Sequence, residues 1–454
     1  MDQALDEDHP LDDRRMEAVQ AALEAGDGVT LSVLLEPLHA ADIADLLEQI
    51  GPSGRRDLLA LWSPQMDGDI LSELDESIRE EVIAALPPEV LAEAVRDLET
   101  DDVVDLLEDL EEPQQEAILD ALDVSDRAAV EQALTWPEHS AGRLMQREVV
   151  MAPQDWTVGQ AIDFLRGAED LPDQFYHVIL VDARMKPKGY VTLGRILSAR
   201  RDMALRDIVE DSFRTVAATD EEADVAYIFN QYHLISCPVV DENDRLVGVI
   251  TIDDAMAVLD EEHEEDMLRL AGVGDDSNLS DGPFETAKVR LPWLVANLAT
   301  ASLSAFVISR FEATITQLVV LAALMPIVAS TGGIAGTQAL AVSVRALATR
   351  DLTRANTRRV VLRELGAGFL NGLGLAIILG LAGALIFGSP LLGAVLAGAM
   401  IVNQIVAALG GVLVPLTLDR LGLDPALASG TFVTTLTDVM GFFAFLGLAT
   451  VFLI

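Results

Sequence analysis

A single cysteine, Cys237, occurs in 454 residues. That excludes a disulfide framework and any cysteine-built metal site within one chain. Basic residues are scarce: 30 Lys and Arg stand against 74 Asp and Glu, for a formal net charge of −44. So acidic a chain repels nucleic acid, which is therefore not expected as a partner, and it attracts cations. The opening residues MDQALDEDHP have neither a basic stretch nor an apolar core. No signal peptide is expected, and the soluble portion is expected in the cytoplasm. No nucleophile–base constellation or phosphate-binding loop stands out, and His177 and His233 read as packing or surface residues. An enzyme is not expected.

What the chain does have is charge and apolar length, in separate places. From Pro283 onward there are 7 acidic and 10 basic residues, which leaves 67 acids and 20 bases in residues 1–282. Five apolar runs follow that acidic portion, over 292–311, 317–343, 364–387, 391–417 and 425–454. Each is long enough to cross a lipid bilayer as one helix. Arg345, Arg350, Arg354, Arg358, Arg359 and Arg363 lie between the second and third runs, and Lys288 and Arg290 precede the first. The FGSP turn after the third run is uncharged. By the positive-inside bias this is a multi-pass protein of a plasma (inner) membrane, N-terminus cytoplasmic and C-terminus outside.

The last run carries one charge, Asp438, among Thr434, Thr435 and Thr437, with Gly441 close by. A carboxylate at membrane depth is costly unless it faces a cavity, a partner or an ion. Asp438 therefore reads as lining a polar path; the alternative is a protonated Asp bonding a neighbouring helix. In the second run, Pro326 with Gly332, Gly333 and Gly336 predicts a broken or kinked helix, tolerated where backbone lines a wet cavity or is covered by protein. Close packing through small residues would explain the glycines equally well.

Within the acidic portion, residues from about Leu11 to Trp136 show helical periodicity in short segments such as ADIADLLEQI, RRDLLALW and TDDVVDLLEDL, punctuated by Pro52, Pro64, Pro87, Pro88 and Pro113. Short helices in series predict a right-angled or solenoid-like helical domain. From about Leu144 the pattern becomes strand, helix, strand, turn, strand, helix, and it occurs twice. In both copies an apolar strand ends in Asp before a polar turn, VILVDARMKPKGYV and CPVVDENDRLVGVI. This resembles a tandem pair of CBS modules, over about Leu144 to Glu262. Such pairs commonly regulate, and some bind adenine nucleotides, although no residue pattern here assigns a nucleotide.

Residues 251–273, TIDDAMAVLDEEHEEDMLRLAGV, predict a helix leading to the membrane. Asp254, Glu261 and Glu265 fall close to one face, with Asp253, Asp260 and Glu264 in a neighbouring stripe. Like charges at this density destabilise a helix unless something positive sits against it, and divalent cations would serve. A merely solvated acidic face is the other reading.

Three stretches then acquire a common meaning. MPIVASTGGIAGTQALAVSVRALATRDL, GLDPALASGTFVTTLTDVMG and EEDMLRLAGV resemble the MgtE family of magnesium channels, and the domain order is similar over essentially the whole chain. The resemblance implies a multidomain membrane protein with an all-α helical-repeat cytosolic domain (1–137), an α+β tandem CBS pair (138–262), a connecting helix and linker (263–290) and a transmembrane domain of five helices (291–454). It also implies a homodimer with the pore between subunits, Asp438 at the ion site, and Mg²⁺ as both cargo and regulator. Cytosolic Mg²⁺ would close the pore from sites at Asp253, Asp254, Glu261, Glu264 and Glu265, with Asp424 near the inner mouth. No residue of the first helical domain is assigned. Two positions depart from the family's pattern: Ile334 where Asn usually follows Gly332 and Gly333, and Thr431 where Pro is frequent. A CBS-regulated secondary transporter, with Asp438 relaying protons, and a membrane-anchored CBS sensor are the competing readings.

Overall fold

The computed structural model describes residues 11–108, 110, 112–168, 171–172, 175–210, 212–273, 282–427 and 430–454. They form two compact units, the first reaching Asp260 and the second spanning Glu261–Ile454.

The first unit begins with short helices in series. These are α1 (Asp13–Ala25), α2 (Gly28–Leu35), α3 (Ala40–Gln49), α4 (Pro52–Trp62) and α5 (Gly68–Ser72). After them come α6 (Glu76–Ala85), α7 (Pro88–Ala94), α8 (Thr100–Glu108), α9 (Glu112–Ala121) and α10 (Val124–Ala133). Each contributes an apolar stripe to one core; Leu31, Leu35, Leu46, Leu47, Leu58 and Leu71 are wholly buried in it. The joints are stitched by a recurring device. Arg55 at the start of α4 donates to the carbonyls of Leu47 (3.0 Å) and Ile50 (3.4 Å), where α3 ends. Arg79 in α6 does the same for Leu74 (2.9 Å) and Ser72 (3.4 Å), and Gln115 in α9 for Leu110 (2.9 Å) and Leu107 (2.7 Å). Carbonyls at a helix C-terminus have no partner within their helix, and the next helix supplies one. This repeated offset fixes the register of the repeats, which the apolar pattern leaves open.

Two small mixed sheets follow. In the first, β1 (Met151–Pro153) pairs parallel with β2 (His177–Val181), and β2 pairs antiparallel with β3 (Pro187–Thr192). The second repeats this with β4 (Val216–Ala217), β5 (Ser236–Val240) and β6 (Leu246–Thr251), down to a register shift at the same place in the hairpin. The aspartates that end the strands have a local reason. Asp182 Oδ1 accepts from the backbone N–H of Arg184 (2.8 Å) and Lys186 (3.0 Å), and Asp241 Oδ1 from those of Asn243 and Arg245 (both 2.8 Å). These backbone donors also hold both carboxyls below the usual carboxylate range. The helices of this part are α11 (Val158–Gly167), α12 (Leu193–Ser198), α13 (Glu222–Tyr232) and α14 (Ile252–Ala271). Helix α14 is the one expected over 251–273. Of the linker expected over 263–290, residues 274–281 lie outside the described residues.

The second unit contains α15 (Pro283–Ser309), the short α16 (Glu312–Gln317), α17 (Val320–Ala348), α18 (Thr357–Phe387), α19 (Pro390–Leu421) and α20 (Gly430–Phe452). All but α16 are long and apolar enough to cross a membrane. Helix α19 is central and packs against α17, α18 and α20. Small residues let the backbones approach: a Cβ on Gly393 of α19 would meet the Gly380 carbonyl of α18 at 2.4 Å. Without a hydrophobic drive between helices in lipid, such close packing is what holds a bundle together. Leu291, Leu294, Val295 and Leu298 of α15 are exposed apolar surface, the composition a lipid-facing helix requires. The expected break in the second span is not found: α17 runs unbroken through Pro326 and its glycines. The glycines instead serve as notches for side chains of neighbouring helices, as the packing alternative holds.

Candidate ion path and cation-responsive carboxylates

Asp438 lies in the middle of α20, half-buried. Among the described residues its carboxylate has no hydrogen-bond or ionic partner, which leaves its oxygens open to a cation. The nearby threonines spend their donors on their own helix. Thr434 and Thr435 donate to the Thr431 carbonyl (3.1 and 2.7 Å), and Thr437 donates to that of Thr434 (2.8 Å). What these hydroxyls keep free is acceptor capacity, the kind a cation or its water shell uses. Thr437 is fully buried, and its methyl faces Gly336 of α17. It therefore packs, whereas Asp438 one residue on does not.

The wall behind α20 includes two adjacent buried amides. Asn403 of α19 is 0 % exposed, and its Nδ2 donates to the Val328 carbonyl of α17 at 2.7 Å. Gln404, beside it, donates through Nε2 to the Thr331 carbonyl at 3.1 Å. The sequence reading passes over this pair, although Asn–Gln inside the apolar run IVNQIVAALGG is a visible signal. Ile334, the departure noted in α17, is 57 % exposed on this chain and does not reach the buried amide.

At the other end of α20, Asp424 accepts from the Ala426 N–H (2.8 Å) and pairs with Arg269 of α14 (2.7 Å). Arg269 also pairs with Glu265 at 2.9 Å. So the positive charge that the acidic helix needs is here partly its own arginine, placed four residues after Glu265. Burial, then the charge of Asp424, pushes the nearby Asp266 carboxyl upward. Leu270 packs with Leu340, Val344, Ala426 and Val433, which seats the end of α14 under α17 and α20. Glu261 and Glu264 are exposed on the same stretch of α14.

Asp253 and Asp254 belong to a different group. They open α14, about 16 Å along the helix from Glu265, and they face acids of the helical domain. Glu99 and Asp102 are pushed up to about 7, first by burial and then by neighbouring charge: Glu148 and Asp254 for Glu99, Asp254 and Glu99 for Asp102. Asp101, 8 % exposed, is pushed well above the usual carboxylate range, first by burial and then by the charges of Asp254 and Asp102, and burial raises Asp254. The hydrogen bonds that hold the group are neutral ones. Gln146 donates to Glu99 (2.7 Å), Thr100 to Glu148 (2.7 Å) and Thr251 to Asp254 (2.6 Å). Among the described residues, no three His, Cys, Asp or Glu side chains are close enough to ligate one ion directly. The seven residues singled out from sequence thus divide into three places: Asp438 in the span, Asp424 with the second half of α14, and Asp253 with Asp254 beside Glu99, Asp101 and Asp102. The last three acids had no sequence assignment, because only the fold brings them to α14.

Five helices long and apolar enough to cross a membrane, one of them with a mid-span carboxylate unpaired among the described residues, joined to an acidic domain with buried carboxylates and a CBS pair, are the parts of a multi-pass cation transporter. Family comparison agrees segment by segment. Residues 325–448 match the MgtE divalent cation transporter domain, 38–139 the MgtE intracellular N domain, and 141–202 and 205–261 the CBS domain. The magnesium transporter MgtE of Enterococcus faecalis is 34 % identical over 325 residues, covering 71 % of both chains. That of Thermus thermophilus is 34 % identical over 326 residues, 71 % of this chain and 72 % of the relative. The crystal structure of the cytosolic domain of the Mg²⁺ channel MgtE in complex with ATP is similar at 31 % identity and a TM-score of 0.49, covering 54 % of this chain and 99 % of that one. The chain belongs to the MgtE family. Its members are transporters, not enzymes, with several membrane spans and an intracellular N domain.

Proposed function

We propose that this chain conducts Mg²⁺ into the cell as a homodimer, with Asp438 of each subunit at the ion site and with cytosolic Mg²⁺ closing the path. The observation that carries the reading is the unpartnered carboxylate of Asp438 inside an otherwise apolar span. Mg²⁺ sheds water reluctantly and is usually held by one or two carboxylates through retained waters. Two Asp438 side chains with threonine and backbone oxygens around them supply that environment, and rings of carboxylates select cations. The relatives are magnesium transporters, which supports Mg²⁺ over other divalent ions.

Closure follows from the carboxylates outside the membrane. Among the described residues, Glu99, Asp101, Asp102, Asp253 and Asp254 concentrate acidic groups without a basic side chain among their hydrogen-bond partners, and Asp424 with Glu265 makes a second focus. Divalent cations reaching these groups through water relieve the repulsion. They bias the protein only as far as they bind the closed arrangement better than the open one. With the arginine-rich segment between α17 and α18 on the cytoplasmic side, an odd number of crossings puts the C-terminus outside. The cytosolic portion of one relative binds ATP; the gating account requires none, and equilibrium dialysis of this chain with ATP is the corresponding test.

The deciding experiment is divalent flux into liposomes holding the purified protein, with internal Mg²⁺ varied from none to about 10 mM, a range that spans weak oxygen-ligand sites. Influx should fall as internal Mg²⁺ rises, and Asp438→Asn should abolish it. Flux indifferent to internal Mg²⁺ would remove the gating account. An Asp438→Asn variant that still carries Mg²⁺ but loses pH dependence would favour a proton-relay transporter instead.

A further inference from the structure

We infer that Asn403 is a positioning residue of the ion path, setting the spacing of α17 and α20 at the level of Asp438. The inference rests on Asp438 being the ion site and adds a residue from a third helix. Three observations converge on it. Asn403 is 0 % exposed, and its Oδ1 is buried without a hydrogen-bond partner. Its Nδ2 donates to the Val328 carbonyl of α17 at 2.7 Å. Glycines of two different helices make room for it. A Cβ on Gly332 of α17 would lie 2.1 Å from Nδ2, and a Cβ on Gly441 of α20 would lie 2.9 Å from the same atom.

The side chain is thus a spacer wedged between two glycine notches. On one side it is tied to a backbone carbonyl of α17. On the other it bears on α20 at Gly441, one helical turn beyond Asp438. Residues three apart share a helix face to within about 60°, so a shift of α20 at Gly441 carries Asp438 with it. Stability alone does not explain an amide in place of an isosteric leucine. A buried acceptor without a partner costs free energy, and a core selected for stability alone would be apolar here. The spare oxygen lies close behind Nδ2 at both notches, 3.0 Å from a Cβ on Gly332 and 3.1 Å from one on Gly441, so both polar atoms of the amide sit where three helices meet.

The test compares wild type, Asn403→Leu, Asn403→Ser and Asp438→Asn in liposomes, per molecule of folded protein as judged by size-exclusion profile and thermal midpoint. The readouts are the Mg²⁺ concentration for half-maximal influx and the ratio of Mg²⁺ to Co²⁺ flux. Asn403→Leu should raise the half-maximal concentration about fivefold, the ratio one neutral hydrogen bond represents, and should change the Mg²⁺ to Co²⁺ ratio. Asn403→Ser, which keeps a donor but not the bulk, should fall between. A purely structural role would lower the amount of folded protein and leave both readouts unchanged, and that result in either variant overturns the inference. If the leucine variant does not fold, the serine variant decides alone. Wild-type flux that survives in Asp438→Asn would sink the ion-site assignment, and this inference with it. Loss in Asp438→Asn with unchanged Asn403 variants would sink only the latter.

Discussion

Neutralising one buried acid should stabilise the cytosolic unit, and only where that acid would otherwise be charged. Asp102 is pushed up to about 7 from an ordinary 3.8 by burial and by Asp254 and Glu99. Because its folded-state value lies above its unfolded one, the folded state holds the extra proton between those pH values. The associated stability is fully present below about 4 and is lost as pH rises through 7. A shift of about three pK units is on the order of 4 kcal/mol. Since the neighbouring acids titrate together and share protons, about half of that, roughly 2 kcal/mol, belongs to Asp102 alone. For a unit of some 250 residues this is about 4–8 °C in thermal midpoint. Asp102→Asn should therefore melt about 4–8 °C above wild type at pH 8 without divalent cations, and above it by roughly 40 % of that margin at pH 5, where the folded carboxyl is protonated but the unfolded one is already ionised. Added Mg²⁺ at pH 8 should raise wild type and narrow the gap. Tryptophan fluorescence of the full chain in detergent is a suitable readout, because Trp62, Trp136 and Trp156 lie in this unit and only Trp293 lies outside it. A gap that is absent or reversed at pH 8, or equally large at pH 5, would refute the electrostatic account of the cluster.

Other outcomes follow from single contacts. Asp438→Asn should remove Mg²⁺ influx while leaving expression and thermal midpoint near wild type, since among the described residues its carboxylate has no partner to lose; liposome flux and melting together check this. Arg269→Gln frees Asp424 and Glu265 from a fixed counter-charge. The internal Mg²⁺ needed for half-closure should fall about fivefold, the scale of one partly exposed ion pair, and a rise would contradict the placement of regulatory Mg²⁺ at this end. Arg55 is 3 % exposed and serves two helix-end carbonyls as well as Glu81 at 2.6 Å. Arg55→Met should cost about 3 kcal/mol, seen as a lower thermal midpoint at both pH 5 and pH 8.

Much of this molecule could be read from period and length. Five apolar runs gave five helices, although α17 and α19 extend to Ala348 and Leu421, beyond the apolar stretches, because hydrogen bonding continues a helix into water where hydropathy stops. The doubled strand–turn–strand pattern reads correctly for a local reason: Asp182 and Asp241 bind the turn's own backbone N–H groups, so sequence and geometry coincide within a few residues. Asp438 stands out in the sequence as a candidate because a lone charge in an apolar span is expensive wherever the helix packs.

The rest depends on which surfaces meet, and there the sequence is silent for identifiable causes. Glu99, Asp101 and Asp102 look like any other acids on an acidic solenoid until the chain folds back and sets the start of α14 against them. Their distance from Asp254 in sequence, about 150 residues, carries no periodic signal. Arg269 was visible as an i+4 partner of Glu265, but its pairing with Asp424 joins positions 155 apart. The glycines of α17 had two readings from sequence, a broken helix or a close contact. The structure separates them by showing what fills each notch: Asn403 at Gly332, Val433 at Gly336. Breaking a membrane helix would strip backbone groups of partners that lipid cannot replace. Opening a notch for a neighbouring amide costs only a side chain, and it leaves the hydrogen-bonded ladder of α17 intact.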